Sequence, residues 1–503
     1  MQRGAFKRAR PRAWGALILT GVGALALAPH GQAPWRWHGA VEPPAPVPGA
    51  FGAAVAMSEG RLWIGPCQDR DLGQGPPQVW ALGLATGTVT PVALPTLDRT
   101  AGFGLAVAAC GASAALGAPS AGCKQGACRT GEAWLAHLTS VSQHSSQAET
   151  VLLEHLPPPL PEPGAQFGAA VALDDRWVAV ASPWATVHNT LHAGCVDVFD
   201  RAHALKHVAR LCSPRPCTSG HFGAALAVQN GTLFIGEPGA EGPAPRGQAA
   251  PRDGAVHKAV LRSGRWSVQS SLRAPAGAFG WYGASLALAG DDLVVGAPRA
   301  GVAVHLVRAT AAAGQWRVAR VLQPPTPAAG FGCAVALNHA CTALIGASAD
   351  SSAAPYGGSA WLADLATGTV QPAPLPGPQA DQNLGAGVAM WSDWAAVASA
   401  GNPEDSPPAP GVVHLLQQAD ERSAAHARAS PPAHATPPAH ATPPARATPL
   451  TRGSPRRRRT WQQRRKRRSP LAAASPCGLH APRPPPRSAS QRSRATAAGS
   501  RRQ

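Results

Sequence analysis

The sequence predicts an all-β protein: a seven-bladed β-propeller of four-stranded antiparallel blades. The ring is closed by the N-terminal strand and followed by a disordered basic tail. Three observations predict this. An aromatic-glycine phrase recurs seven times, at steps of 49 to 64 residues. Each copy alternates small and large residues with period two, the spacing of strands. The last copy lacks one strand, and the segment before the first copy supplies it.

The phrase reads FGAAVAMSEGRLWIG from Phe51-Gly52 and FGLAVAACGASAALGAP from Phe103-Gly104. It returns as FGAAVALDDRWVAVASP at Phe167-Gly168 and FGAALAVQNGTLFIGEP at Phe222-Gly223. The last three are YGASLALAGDDLVVGAP at Tyr282-Gly283, FGCAVALNHACTALIGAS at Phe331-Gly332 and LGAGVAMWSDWAAVASA at Leu384-Gly385.

Within the fifth copy, Ala284 to Ala289 alternates and Gly290-Asp291-Asp292 makes a tight turn. Leu293 to Ala297 is then a continuous apolar run, as a buried inner strand requires. Val302, Val304 and Leu306 mark a third strand, and Trp316 to Leu322 a fourth. Four short antiparallel strands repeated radially make a propeller blade. The third strand is traceable in the other copies. Trp80, Trp134 and Trp361 share one position in it, where core packing is the expected role rather than a carbohydrate-stacking face. LATGTVTPVALP (84–95) and LATGTVQPAPLP (365–376) are nearly the same text, which points to tandem duplication. The seventh copy stops after its third strand, near Asp420. The segment from Trp37 matches the fourth strands that begin at Trp266 and Trp316, so pairing of the two chain ends removes an open sheet edge.

These residues resemble the FG-GAP repeat, as in the propeller of integrin α subunits, over about Trp35 to Asp420. The resemblance implies a seven-bladed ring. Many integrin-type units also carry a calcium loop between the first two strands. A calcium site needs several oxygen ligands converging from about a dozen residues. Here the connections are as short as Ser58-Glu59-Gly60, Asp174-Asp175 and Gln229-Asn230-Gly231. Asp174, Asp175, Asp291 and Asp292 are therefore expected to form turns, and no cofactor is expected.

The net charge of +19 belongs to the chain ends. Residues 421–503 hold 19 Lys/Arg against one acid, Glu421, and residues 1–12 hold five basic residues and no acid. The repeat body is nearly neutral, so nucleic-acid binding by the propeller itself is not expected. Residues 1–33 read as a secretory signal, basic and then apolar from Trp14 to Ala28. An uncleaved signal anchor or a transit peptide is the alternative. The expected address is extracellular, or the membrane surface if the segment stays as an anchor. Residues 34–420 are the propeller. Residues 421–503, with PPAHATPPAHATPPARATP and RRRRTWQQRRKRR, cannot bury a core and read as a disordered tail able to bind polyanions.

Ten cysteines agree with an oxidising compartment. Proximity in sequence pairs Cys123 with Cys128, Cys212 with Cys217, and Cys333 with Cys341. The CxxC pairs of a strong zinc site are absent. Asn230-Gly231-Thr232 is both a glycosylation sequon and a hairpin-tip dipeptide. There is no Gly-x-Ser-x-Gly and no Walker loop; acidic residues are sparse and the histidines scattered. No catalytic constellation stands out, and an enzyme is not expected. The expected function is that of a secreted or surface-exposed binding scaffold. It would recognise a protein or glycan through its loops, first among them Gln68–Gln78, Ser120–Gly131, Pro183–Gly194 and Glu237–Asp253. The alternatives are an enzyme with its site at the funnel and a polyanion binder working through the tail. The short turns make a direct prediction: a chelator leaves the melting temperature unchanged in a thermal scan, and a fall of several degrees would reveal a structural cation.

Overall fold

The computed structural model describes residues 34–43, 51–66, 78–94, 101–122, 129–143, 146–242, 251–276, 278–309, 315–400 and 411–419. The signal segment, the basic tail and the Cys123/Cys128 pair lie outside them. The described residues form 28 strands in seven four-stranded antiparallel sheets. Blade 1 is β2 (Val55–Ser58), β3 (Arg61–Ile64), β4 (Gln78–Gly83) and β5 (Val89–Ala93). Blade 2 is β6 (Ala106–Cys110), β7 (Ser113–Ala118), β8 (Glu132–Gln143) and β9 (Ser146–Leu156). Blade 3 is β10 (Ala170–Leu173), β11 (Trp177–Ser182), β12 (Cys195–Asp200) and β13 (Lys206–Cys212). Blade 4 is β14 (Leu226–Gln229), β15 (Thr232–Glu237), β16 (Ala255–Arg262) and β17 (Arg265–Arg273). Blade 5 is β18 (Ser285–Ala289), β19 (Asp292–Ala297), β20 (Val302–Arg308) and β21 (Trp316–Leu322). Blade 6 is β22 (Ala334–Leu337), β23 (Thr342–Ala347), β24 (Ser359–Asp364) and β25 (Val370–Pro372). Blade 7 is β26 (Gly387–Trp391), β27 (Trp394–Ser399), β28 (Val412–Gln418) and, as its outer strand, β1 (Trp35–Val41).

The ring closes as the sequence predicts. β1 pairs antiparallel with β28, Trp35 opposite Gln418 and Val41 opposite Val413. The first strands of all seven blades touch their neighbours in turn, β26 meeting β2.

The recurring phrase has one mechanical role in every blade. Its aromatic or leucine, from Phe51 to Leu384, is buried. Its glycine has φ between 86° and 96°, a region costly for any residue with a Cβ. The amide of that glycine donates to the carbonyl at the Gly-Ala-Pro position of its own blade. The seven bonds run from Gly52 to Gly65, Gly104 to Gly117, Gly168 to Ala181, Gly223 to Gly236, Gly283 to Gly296, Gly332 to Gly346 and Gly385 to Ala398, at 2.7 to 3.0 Å. The carbonyl of the same glycine lies against the Gly-Ala-Pro glycine of the preceding blade. A Cβ on Gly117 would stand 1.9 Å from the Gly168 oxygen, and one on Gly65, Gly236, Gly296 or Gly346 2.0 Å from its counterpart.

Third-strand tryptophans pack edge-on against the phrase aromatics: Trp80 on Phe51 at 5.2 Å, Trp134 on Phe103 at 5.5 Å and Trp361 on Phe331 at 6.4 Å. They are core residues. The tight turns use left-handed residues, Asn230 (φ 51°) with Gly231 (φ 70°) and Glu59 with Gly60. Asn230 is exposed at its tip. Asp174 Oδ1 accepts from the amides of Arg176 (2.9 Å) and Trp177 (2.6 Å), a turn-forming role.

The cysteine pairing differs from the expectation. Cys212 is bonded to Cys195, and Cys217 is a free thiol. Cys195 and Cys212 stand directly opposite on β12 and β13, so the sheet register brings them together across the hairpin. Cys333 and Cys341 are also free. Cys333 sits before β22 at one end of its hairpin, with Sγ near Ser348 Oγ (3.4 Å), whereas Cys341 is exposed in the turn at the other end.

The glycine contact predicts a steep steric penalty. Gly117→Ala, at a position without positive φ, costs about 3 kcal/mol or more in urea unfolding. Gly377→Ala, which meets open space, leaves stability unchanged.

Candidate functional site

Antiparallel order puts the connections of each blade on two faces. The turns between first and second strands, and between third and fourth, lie on one face. The loops between second and third strands share the other face with the linkers between blades. The insertions singled out in the sequence all connect second to third strands, and their residues 68–77, 123–128 and 243–250 lie outside the described residues. This loop face carries exposed apolar side chains: Leu191 at 58% exposure, Phe279 at 55% and Tyr356 at 46%. Trp184 packs edge-on against His192 (4.9 Å) and His221 (4.6 Å), and Trp281 lies under the Arg299 guanidinium at 3.9 Å. Burial pushes the His221 pKa down. The loop 183–194 is fixed to the next blade by bonds from Ser219 N to Leu191 O, His221 N to His192 O and Phe222 N to Ala193 O. Trp391 lies on the turn face, and Trp394 is half-buried against His38 at 4.7 Å.

One cleft of about 500 Å³ opens on the loop face between blades 3 and 4. Its floor departs from the repeat. Where blades 2 and 6 have alanine after the Gly-Ala-Pro glycine (Ala118, Ala347), blade 4 has Glu237 at the end of β15. Where they have tryptophan on the third strand (Trp134, Trp361), blade 4 has His257 on β16. His257 keeps the tryptophan's place against the phrase aromatic, 5.1 Å from the Phe222 ring.

Glu237 and His257 are 1% and 2% exposed. The His257 Nε2–H donates to Glu237 Oε2 at 2.6 Å, and Ser213 Oγ donates to the same oxygen at 3.0 Å. His257 Nδ1 faces the Ser271 hydroxyl at 2.9 Å, Ser271 being its cross-strand neighbour on β17. A buried carboxylate survives only with such partners. Glu237 Oε1 is differently placed: among the described residues it takes a long contact from the Cys217 thiol at 4.0 Å, and that thiol lies closer to Gly239 O at 3.5 Å. Burial, with the Glu237 charge second, pushes the Cys217 thiol pKa up, so it is no activated nucleophile. Arg215, Glu241 and Arg273 line the cleft from exposed positions.

Other polar groups serve the scaffold. In blade 3, buried Asp197 takes bonds from His207 (2.9 Å) and Arg210 (3.1 Å), while burial raises its pKa. A second cleft, on the turn face, includes His137, whose Nδ1 meets Ser113 Oγ at 2.8 Å; that serine is buried and also held by Arg201. No group of three or more potential metal ligands occurs among the described residues.

Sequence reading named the Glu237–Asp253 insertion but missed Glu237, His257 and Ser271 as a unit. The signal was there: aligning the seven copies shows an acid in the alanine column and a histidine in the tryptophan column. The same alignment supplies a test. Glu237→Ala alone, or His257→Trp alone, strands a buried polar group and costs about 3–5 kcal/mol. The double variant rebuilds the alanine–tryptophan pair of blades 2 and 6 and returns to within about 1 kcal/mol of the parent in urea unfolding.

No protein-family model and no curated protein sequence matches the chain. Among solved structures it is similar to the Pan2 WD40 domain of Neurospora crassa, at 11% identity and TM-score 0.45, over 77% of this chain and 96% of that one. It is similar also to the acylaminoacyl peptidase of Pyrococcus horikoshii, at 7% identity and TM-score 0.41, over 76% of this chain and 54% of that one. A chain of a nidogen/laminin complex matches at 11% identity and TM-score 0.31, over 59% of this chain and 89% of that one. The propeller itself rests on the seven sheets described above, and these distant likenesses add nothing about activity or partners.

Proposed function

We propose that the protein is an FG-GAP-type propeller acting as a secreted or surface-exposed recognition scaffold, which binds a protein or glycan on its loop face. The observation that carries this reading is the concentration of exposed Leu191, Phe279 and Tyr356 on the face that also holds the long insertions. Aromatic side chains on a rigid frame are the usual anchors of recognition surfaces, because they bring large area at low entropic cost. Propeller loops vary without disturbing the blades, since the strands beneath them carry the packing. The Cys195–Cys212 disulfide supports an oxidising compartment. No helix among the described residues is long and apolar enough to cross a membrane.

The test is binding of the full chain to arrayed glycans and extracellular proteins. Phe279→Ala and Tyr356→Ala weaken retention by about tenfold each, while Trp391→Ala on the turn face leaves it unchanged. Equal retention by all three sinks the reading. Retention that vanishes on deletion of 421–503, and falls steeply with salt, assigns binding to the basic tail instead.

A further inference from the structure

We propose that the Glu237 cleft recognises a cation, the side-chain ammonium or guanidinium of a Lys or Arg on a protein partner. This rests on the loop-face reading and narrows the partner to a protein.

The argument starts from one oxygen. Glu237 is almost wholly buried, yet only its Oε2 is served by close donors. Oε1 has only the long contact from the Cys217 thiol at 4.0 Å, and a buried acceptor so weakly served forfeits part of the about 1–3 kcal/mol that a missing donor costs. The repeat provides an apolar alternative at the same place, so nothing in the fold requires an acid there. Glu237 lines a cleft of about 500 Å³ that opens on the recognition face. The wall beside it is kept clear: a Cβ on Gly220 would stand 2.6 Å from Oε1. The exposed Ser271 hydroxyl lies 2.9 Å from His257 Nδ1 and holds the ring from its far side. His257 then orients Glu237 as a fixed acceptor, and the ligand supplies the missing N–H donors.

The rim refines the ligand. Glu241 adds a second acid, whereas Arg215 and Arg273 line the cleft from exposed positions, with Arg273 Nη1 donating to Glu241 O at 2.7 Å. A basic side chain flanked by acids fits this order: cation to the floor, carboxylates to the arginines. A neutral or purely anionic ligand leaves Oε1 with the thiol contact alone.

The test is titration of the full chain with an acetylated, amidated Asp-Lys-Asp tripeptide, followed by calorimetry or NMR. The same tripeptide with Nε-acetyllysine is the control. The lysine peptide binds at least about tenfold more tightly than its acetylated form, a difference of about 1.4 kcal/mol. Glu237→Gln abolishes that preference. Glu241→Gln, on an exposed loop, cuts it by about threefold and keeps the test decisive should the first variant fail to fold. Equal affinity for the two peptides, or a preference unchanged in Glu237→Gln, overturns the proposal. The two readings fail separately: a captured partner lost with Phe279→Ala but kept with Glu237→Gln leaves the loop face standing and removes the cation site. Lysine-peptide binding without any captured partner does the reverse.

Discussion

The structure depends on a contact between two glycines. In most blades the Gly-Ala-Pro glycine lies so close to the phrase carbonyl of the next blade that a single methyl group would overlap it. The same phrase glycine bonds through its amide to its own blade. One residue thus ties its own sheet together and sets the distance to the neighbouring sheet. Repeated around the ring, it fixes blade separation near the axis without any side chain. The buried aromatic that precedes it then fills the wedge that opens outward. Blades 3 and 7 carry Ala181 and Ala398 at this position. There the approach is looser, with the Gly52 Cβ position 3.2 Å from its nearest neighbour, Ser399 O.

A ring held at its backbone tolerates change elsewhere. The third-strand position can be tryptophan, aspartate, histidine or valine, and the fold persists (Trp80, Asp197, His257, Val304). Polar residues there bring their own partners, as Asp197 does with Arg210 and His207. His414 does not. Among the described residues its Nδ1 has no partner, and burial pushes its pKa down. Its folded pKa lies below the unfolded value, so it lends no stability above that value and subtracts some as pH falls below it.

The fold was legible because it is written seven times. Period-two alternation, short turns and a matching N-terminal strand are local signals, and repetition turned each into a consistent one. Cys195–Cys212 was not legible from spacing alone. The two cysteines are 17 residues apart, and only the register of β12 on β13, with its irregularity between Val198 and Phe199, sets them opposite. Nearest-in-sequence pairing favoured Cys217, which the linker carries away to Gly239 instead. The Glu237 cluster was half legible. Each residue looked ordinary in its own strand, because a lone histidine or glutamate carries no signal. It stands out only in the columns of the repeat, and its meaning needs a third strand and a linker, Ser271 and Ser213, that no local pattern relates to it.

The comparison among blades separates stability from function at this site. A buried acid–histidine pair is a poor way to stabilise a core, since desolvation offsets most of the attraction. Alanine and tryptophan fill the same two places in blades 2 and 6 with no charge to bury and one indole N–H, which Trp361 gives to Ser359 Oγ at 3.0 Å. Had packing alone governed blade 4, the simpler pair would serve. What glutamate and histidine add is a charged oxygen held rigidly at the floor of a cleft, on the face that also exposes Phe279 and Tyr356. An exposed surface acid gains little from a partner because water screens it. At the cleft floor the same charge meets few competing donors, and there a single cation is worth binding.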